Sequence, residues 1–264
     1  MLKTKDFFDT MIQTYCAREN PGITIDSVDQ KQSEDYELQY VQEKIVLKAD
    51  NPFGAILGWQ RALNASKSGY IRENLGRRTP RFPLRVFEGS ANEIKEAIQH
   101  GYNAVVCEPD DDRTPFLDYG LKVILKLQEP LDDWEGVTGV WVESELIEDD
   151  EYKTRIEMLE EDLARWEEWA QGKCDLIYQL VHGTETVWVK WFLDLCLKAK
   201  KGTTLAFPAT CPDMLWERFR QTLDLIHTPL LVAMDRDCDL SEHLVDHGFC
   251  GGVSKNSKPQ FFLN

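Results

Sequence analysis

No apolar run in this chain approaches the roughly 18–20 residues needed to cross a bilayer. The opening residues, MLKTKDFFDTMIQTYC, lack the apolar core and small-residue cleavage site of a secretory leader. Neither a membrane span nor secretion is therefore expected. Disulfide spacing is missing as well. The seven cysteines (Cys16, Cys107, Cys174, Cys196, Cys211, Cys238 and Cys250) are odd in number, scattered, and contain no C-x-x-C pair. Cys107, Cys196 and Cys250 fall inside apolar patterns, where a thiol behaves as a small hydrophobe. A reducing cytoplasm is the expected compartment.

Positive charge is scarce: 30 Lys and Arg face 46 Asp and Glu, a formal charge of −16. The shortage is uneven. Residues 1–85 hold 13 basic and 11 acidic side chains, whereas residues 86–264 hold 17 and 35. An acidic body of this kind repels nucleic acid and anionic membranes, so neither is an expected partner. The basic residues Lys67, Arg72, Arg77, Arg78, Arg81 and Arg85 are expected to dock on the acidic body of their own chain. Nor does any Ser/His/Asp or Cys/His set, Walker loop, G-x-G-x-x-G fingerprint or zinc spacing occur.

What is present is a cadence. From residue 84 onward eight short apolar runs alternate with helical stretches: LRVFEG, NAVVCEP, LKVILKLQEP, GVTGVWVES, DLIYQLVHG, TTLAFPA, PLLVAMD and GGVSK. Near-continuous apolar runs read as parallel strands buried on both faces, and eight βα units are the number that closes a barrel. Punctuation agrees. Ser90-Ala-Asn-Glu93 fits a capping box, Thr114-Pro115 and Thr210-Cys211-Pro212 place a cap before a first-turn proline, and Gly101, Gly120, Gly172, Gly202 and Gly248 stand at helix ends. The expected fold is a TIM-like (β/α)8 barrel over 84–264, with an open doubly wound sheet as the competing architecture. Residues 1–83 form an N-terminal α+β extension: a helix over 2–18, strands in ITIDSV and YELQYVQEKIVLKA, a helix after Asn51-Pro52, and a connector over 65–83. Such an extension can plug the barrel's bottom, lid its top, or build an oligomer contact.

The longest helix is expected over about 146–170, with Tyr152, Ile156, Leu159, Leu163, Trp166 and Ala170 in one narrow seam. That seam either packs on the barrel wall or joins a homodimer through the helix 146–171.

Alternation along each strand separates interior from exterior. Exterior positions must be apolar to receive helices, so polar residues mark the interior. Glu88, Glu108, Lys126, Gln128, Glu143, Gln179, Asp235 and Lys255 then face inward at the strand ends, with His182 nearby. Lys126 lies between the strands that carry Glu108 and Glu143, and a barrel lysine needs such partners to be charged. The leading reading is a small-molecule enzyme of lyase or isomerase type acting on an anionic or carbonyl metabolite. Lys126 serves as proton-transfer, oxyanion-holding or Schiff-base group, Glu108 and Glu143 set its state, and Asp235 is a second acid or base. Lys255, Gln128, Glu88, Gln179 and His182 bind substrate. The alternative from another class is a non-catalytic binding or assembly barrel with structural interior charges.

Two further alternatives use the carboxylates differently. Glu143 and Asp235 can form the acid and nucleophile of a retaining glycosidase, although the short strand-to-helix connections are poor walls for a sugar cleft. Glu88, Glu108, Glu143 and Asp235, with His182, can instead hold Mg²⁺ or Mn²⁺, cations that prefer oxygen ligands. No other cofactor is expected. If the rim binds a divalent cation, Glu108→Gln or Glu143→Gln will abolish metal-induced thermal stabilisation. A melting temperature unmoved by millimolar-range Mg²⁺ or Mn²⁺ rules that alternative out.

Overall fold

The computed structural model of the chain describes residues 22–72, 75–80, 83–132, 134–144, 152–180, 193–208, 229–234 and 249–254, together with Phe7 and Thr10. It is a mixed α/β structure in which a small sheet and helix precede a curled, parallel sheet.

The small sheet has the order β1-β3-β2-β4, with β1 Ile23–Val28, β2 Tyr36–Val41, β3 Lys44–Ala49 and β4 Gly76–Arg78. β2 and β3 form the expected hairpin, in register from Tyr36 opposite Ala49 to Val41 opposite Lys44. Its two-residue turn, Gln42-Glu43, takes positive φ at both positions (48° and 64°), the geometry that matches strand twist even without Asn or Gly. The alternating apolar residues Tyr36, Leu38, Ile45 and Leu47 are buried under α1, Pro52–Ser68. Asn51 caps this helix, its side-chain oxygen accepting from the Gly54 amide at 2.9 Å. The segment 65–83, expected to be a connector, contains β4, which pairs antiparallel with β2. Arg77 holds it there, donating to Asp50 at 2.7 Å and to Asp35 at 3.1 Å.

Eight strands follow: β5 Leu84–Glu88, β6 Ala104–Cys107, β7 Lys122–Leu127, β8 Gly139–Glu143, β9 Asp175–Gln179, β10 Thr203–Pro208, β11 Leu230–Met234 and β12 Phe249–Ser254. Each pairs in parallel with its sequence neighbour, and β12 pairs back onto β5, so the strand order closes. The helical layer is less regular than a full (β/α)8 repeat. Helices α2 (Ile94–Gln99), α3 (Thr114–Asp118) and α4 (Tyr152–Ala170) follow β5, β6 and β8, and 193–198 is helical after β9. The crossover from β7 to β8 carries no helix among its described residues. The crossovers 209–228 and 235–248 lie outside the described residues.

Strand parity is visible directly. Val86, Ala104, Val106, Ile124, Trp141, Ile177 and Ala206 pack together inside the ring. Their neighbours Val105, Cys107, Val123, Leu125, Val140, Val142, Leu176 and Tyr178 belong to a separate outer core. That outer core also includes Ile23, Leu38, Leu47 and Ile56, so the N-terminal sheet and the barrel wall share one continuous hydrophobic layer. Among residues 22–80 none enters the interior cluster, and the described part of the extension packs outside the ring. The seam of α4 is spent the same way: Ile156, Leu159, Leu163, Trp166 and Ala170 are all buried within this chain. Residues 145–151 and the helix expected over 2–18, apart from Phe7 and Thr10, lie outside the described residues.

Caps are mostly as expected. Glu93 accepts from the Ser90 amide at 3.0 Å and from its hydroxyl at 2.8 Å, which holds its carboxyl below the usual range. Thr114 is not the cap of α3 but its first residue, after Arg113 at the cap position, and Asp112 accepts from the Thr114 amide at 3.0 Å in a turn that leads into the helix. Gly101 adopts φ of 91°, and a side chain there would meet Leu57 of α1 at 2.9 Å.

Two residues of the basic stretch, Arg77 and Arg85, dock elsewhere than expected. Arg85 is 1% exposed and pairs with Glu34, a residue of the extension. Its Nε donates to the Gly101 carbonyl at 2.5 Å. Asn103 completes the arrangement, donating to Glu34 at 2.8 Å and accepting from the Arg85 amide at 2.9 Å. Gly54 permits this approach, because a Cβ there would lie 2.4 Å from the Glu34 carbonyl oxygen. Arg77 and Arg85 thus pair with Asp35, Asp50 and Glu34 of the N-terminal segment. The physical reason is proximity: these carboxylates lie where the segment folds back on the start of β5. Replacing Glu34 with Ala removes the carboxylate partner of a buried guanidinium, so urea unfolding should show a loss of about 3–5 kcal/mol. A loss below about 1 kcal/mol would mean that water solvates Arg85 in the variant and that the pair is dispensable.

Candidate active site at the strand ends

The C-terminal ends of β5 to β9 converge on one mouth, the end of a parallel barrel where chemistry is placed. Its floor is apolar. Trp141, 4% exposed, stands beside Val106, Ile124 and Ile177, so the interior is filled below the rim. In register, Trp141 lies opposite both Lys126 of β7 and Ile177 of β9. Lys126 emerges just above this floor.

Its ammonium lies 2.8 Å from Glu143 Oε1, across the β7–β8 pair. Both side chains keep about a third of their surface open, 32% for Lys126 and 38% for Glu143. Burial by itself pulls the lysine pKa down. The hydrogen bond and charge of Glu143, joined by the charges of Glu88 and Glu108, outweigh it, and the lysine is held above its ordinary value. The side chain is therefore an ammonium at neutral pH.

The remaining residues take their places around this pair. Glu88 ends β5 on the interior side and is half-buried. Glu108 follows β6, exposed, two residues beyond Val106, which pairs with Ile124; Lys126 stands two residues beyond Ile124 on the neighbouring strand. The Glu108 amide donates to Asp111 at 2.8 Å, which folds the loop back on itself. Gln179 ends β9 level with Glu143, and Gln128 is exposed just past β7. Ser144, buried behind Glu143, was not singled out by sequence; its amide donates to the Gln179 carbonyl at 2.7 Å and extends the β8–β9 pairing to the rim. The structure thus brings Lys126, Glu143, Glu88 and Glu108 into one electrostatic group. Asp235, Lys255 and His182 lie outside the described residues.

Of the carboxylates proposed as oxygen ligands, Glu143 pairs with the Lys126 ammonium at 2.8 Å, and the charges of Glu88 and Glu108 act on the same lysine. Among the described residues no group of three or more His, Cys, Asp or Glu side chains is arranged to hold a metal. The thiols are placed for packing: burial pushes Cys107 up to about 12 and raises Cys174 and Cys196 as well, so none of the three is a ready thiolate. No described helix is long and apolar enough to cross a membrane.

No family model matches the chain, and no curated protein matches it. Solved structures do. A GH138 enzyme targeting pectin rhamnogalacturonan II is similar over 97% of this chain and 46% of its own, at 10% identity and a TM-score of 0.54. A Family 89 glycoside hydrolase from Clostridium perfringens is similar over 99% of this chain and 48% of its own, at 10% identity and a TM-score of 0.53. The chain spans about half the length of these two proteins. The likeness is one of fold, and it takes in the N-terminal sheet together with the barrel.

The openness of the Lys126–Glu143 pair decides what its loss costs. Lys126→Met should lower stability by less than about 1 kcal/mol at neutral pH, the range of solvent-screened pairs. Because the folded-state pKa lies above that of an unfolded lysine, the pair's contribution is complete below the ordinary lysine value. It is lost as pH rises through the raised one. Urea denaturation from about pH 8 to about pH 12 should therefore bring wild type and variant together at the alkaline end. A loss above about 3 kcal/mol at neutral pH would mark the pair as a buried structural bridge.

Proposed function

We propose that the protein is an enzyme acting on a small carbonyl compound at the barrel mouth, by removing or moving a proton next to the carbonyl. The observation that carries this reading is the charged Lys126, 2.8 Å from Glu143 and open to water above an apolar floor. Proton abstraction beside a carbonyl creates an enolate oxygen. A fixed ammonium aimed at that oxygen stabilises charge as it develops. A carboxylate from the neighbouring strand ends, Glu108 or Glu88, takes the proton, and Glu143 holds the ammonium in place. Gln128 and Gln179 supply neutral amides for orienting substrate. Asp235 and Lys255 enter as an additional acid or base and a substrate-holding cation. Isomerisation returns the proton to another carbon, whereas lyase chemistry expels a leaving group from the β-carbon.

A second reading is glycoside hydrolysis by Glu143 and Asp235. What favours it is the likeness of fold to the GH138 and Family 89 enzymes along nearly all of this chain. Against it stand the short connections after β5 and β6, which reach the next helical turn within about six residues, and the ammonium already seated on Glu143.

Proton exchange separates the two. In deuterated buffer, wild-type protein should catalyse deuterium uptake beside the carbonyl of at least one member of a panel of short ketones and aldehydes, read by proton NMR. Lys126→Met should slow that uptake by about 10²–10³-fold, the usual loss on removing one oxyanion-holding donor. Absence of exchange across the panel, with release of sugar from aryl glycosides, would establish the second reading.

A further inference from the structure

The floor of the mouth holds one polar atom that the proposed proton transfer does not use. Val106, Ile124 and Ile177 are hydrocarbon, whereas the fourth floor residue, Trp141, carries an indole N–H. An indole nitrogen can only donate, and a buried one ordinarily finds an acceptor. That of Trp141 has no hydrogen-bond partner among the described residues, although only 4% of the residue is exposed. Nor is the nitrogen sealed away. The described side-chain atoms that lack both a partner and contact with solvent belong to Gln60, Arg61 and Arg155. The small exposed part of Trp141 therefore includes Nε1. Toward the beginnings of the strands Val86 and Ala104 are 0% exposed, so the opening that reaches Trp141 is the mouth.

Register supplies the second observation. Trp141 is the partner of Lys126 across the β7–β8 pair. Paired residues on neighbouring strands stand about 4.8 Å apart and project to the same face. One of the two is a cation held by Glu143 at 2.8 Å, and the other is a neutral donor without an acceptor.

We infer, resting on the proposed reading of this rim as a carbonyl-handling site, that Trp141 is its second oxygen-holding donor. The carbonyl oxygen of the substrate lies between the Lys126 ammonium and the Trp141 Nε1–H. A lysine is a point charge on a flexible stem and fixes an oxygen poorly in direction. The indole is held by its packing with Ile124 and Ile177, and it supplies the direction that the lysine lacks. As the neighbouring carbon loses its proton, charge gathers on the oxygen and both bonds strengthen. The indole keeps its own proton throughout.

The test replaces the Trp141 indole with benzothiophene, a ring of the same shape without the N–H, by site-specific incorporation into the full chain. Trp141→Phe is the second variant. Deuterium uptake by hydroxyacetone and butanone is followed by proton NMR over a range of ketone concentrations. Both variants should lower kcat by about 10²-fold, the loss of one oxyanion-holding donor. KM should stay within about twofold of wild type, because the missing bond is made chiefly in the transition state. The benzothiophene protein should melt with wild type, which separates the donor from its packing. In nitrogen-15-labelled wild type, the indole resonance that Trp141→Phe removes should move downfield on adding hydroxyacetone. Unchanged kcat in the benzothiophene protein, or an indole resonance indifferent to hydroxyacetone while exchange proceeds, would overturn the inference and leave the carbonyl reading standing. Absence of exchange in wild type with both ketones would remove that reading, and the inference with it.

Discussion

A parallel ring of strands has two faces and no edge, and this constraint organises the protein. Its outer face is covered by helices and by the N-terminal sheet, so outward side chains are either apolar, as the buried Val105, Leu125, Val142 and Tyr178 are, or paired, as Arg85 is with Glu34. Polar side chains are left the interior, and within it only the rim touches water. Lys126 follows from that geometry. One residue earlier on β7, an ammonium would be driven into the helical layer; two residues earlier, at Ile124, it would sit in the packed interior. At position 126 it reaches Glu143 and remains partly solvated, so it keeps its charge without the full desolvation cost of a buried pair.

The opposite end of the barrel carries a different kind of charge. Arg85 and Glu34 meet where solvent is nearly excluded, the Gly101 carbonyl accepting from Arg85 Nε and the Asn103 side-chain amide donating to Glu34. A guanidinium suits this place because its planar fork can serve a carboxylate and a carbonyl together. The outcome is a division of labour along the strands: a sealed ion pair near their beginnings joins extension to barrel, and an open pair at their ends is available to a ligand. On the proposed reading, stability and chemistry are kept apart, as in barrels generally.

Much of this was legible in the residues because the signals are local. The eight apolar runs, the YELQYVQEKIVLKA hairpin and the Asn51-Pro52 helix start each rest on period or cap chemistry within a few positions. Parity placed Lys126 between the strands of Glu108 and Glu143, since period-two alternation needs only one anchored position to assign a whole strand. What escaped is non-local. β4 is the three residues Gly76-Arg77-Arg78, too short and too basic to show a strand pattern, and it forms because β2 offers an edge and Asp50 a counter-charge. Glu34 is 51 positions from Arg85, beyond any local pattern. The helix-free crossover after β7 was masked by the regular cadence around it.

The central claim is that Lys126 is a solvent-reached ammonium secured by rim carboxylates. Carbon-13 labelling of the lysine side chains, with Lys126→Arg to assign the resonance, allows its titration to be followed directly. The account predicts a midpoint above the ordinary lysine value of about 10.4, falling toward that value in Glu143→Gln as the strongest carboxylate partner is neutralised. A midpoint below the ordinary value, or one indifferent to Glu143→Gln, would contradict it.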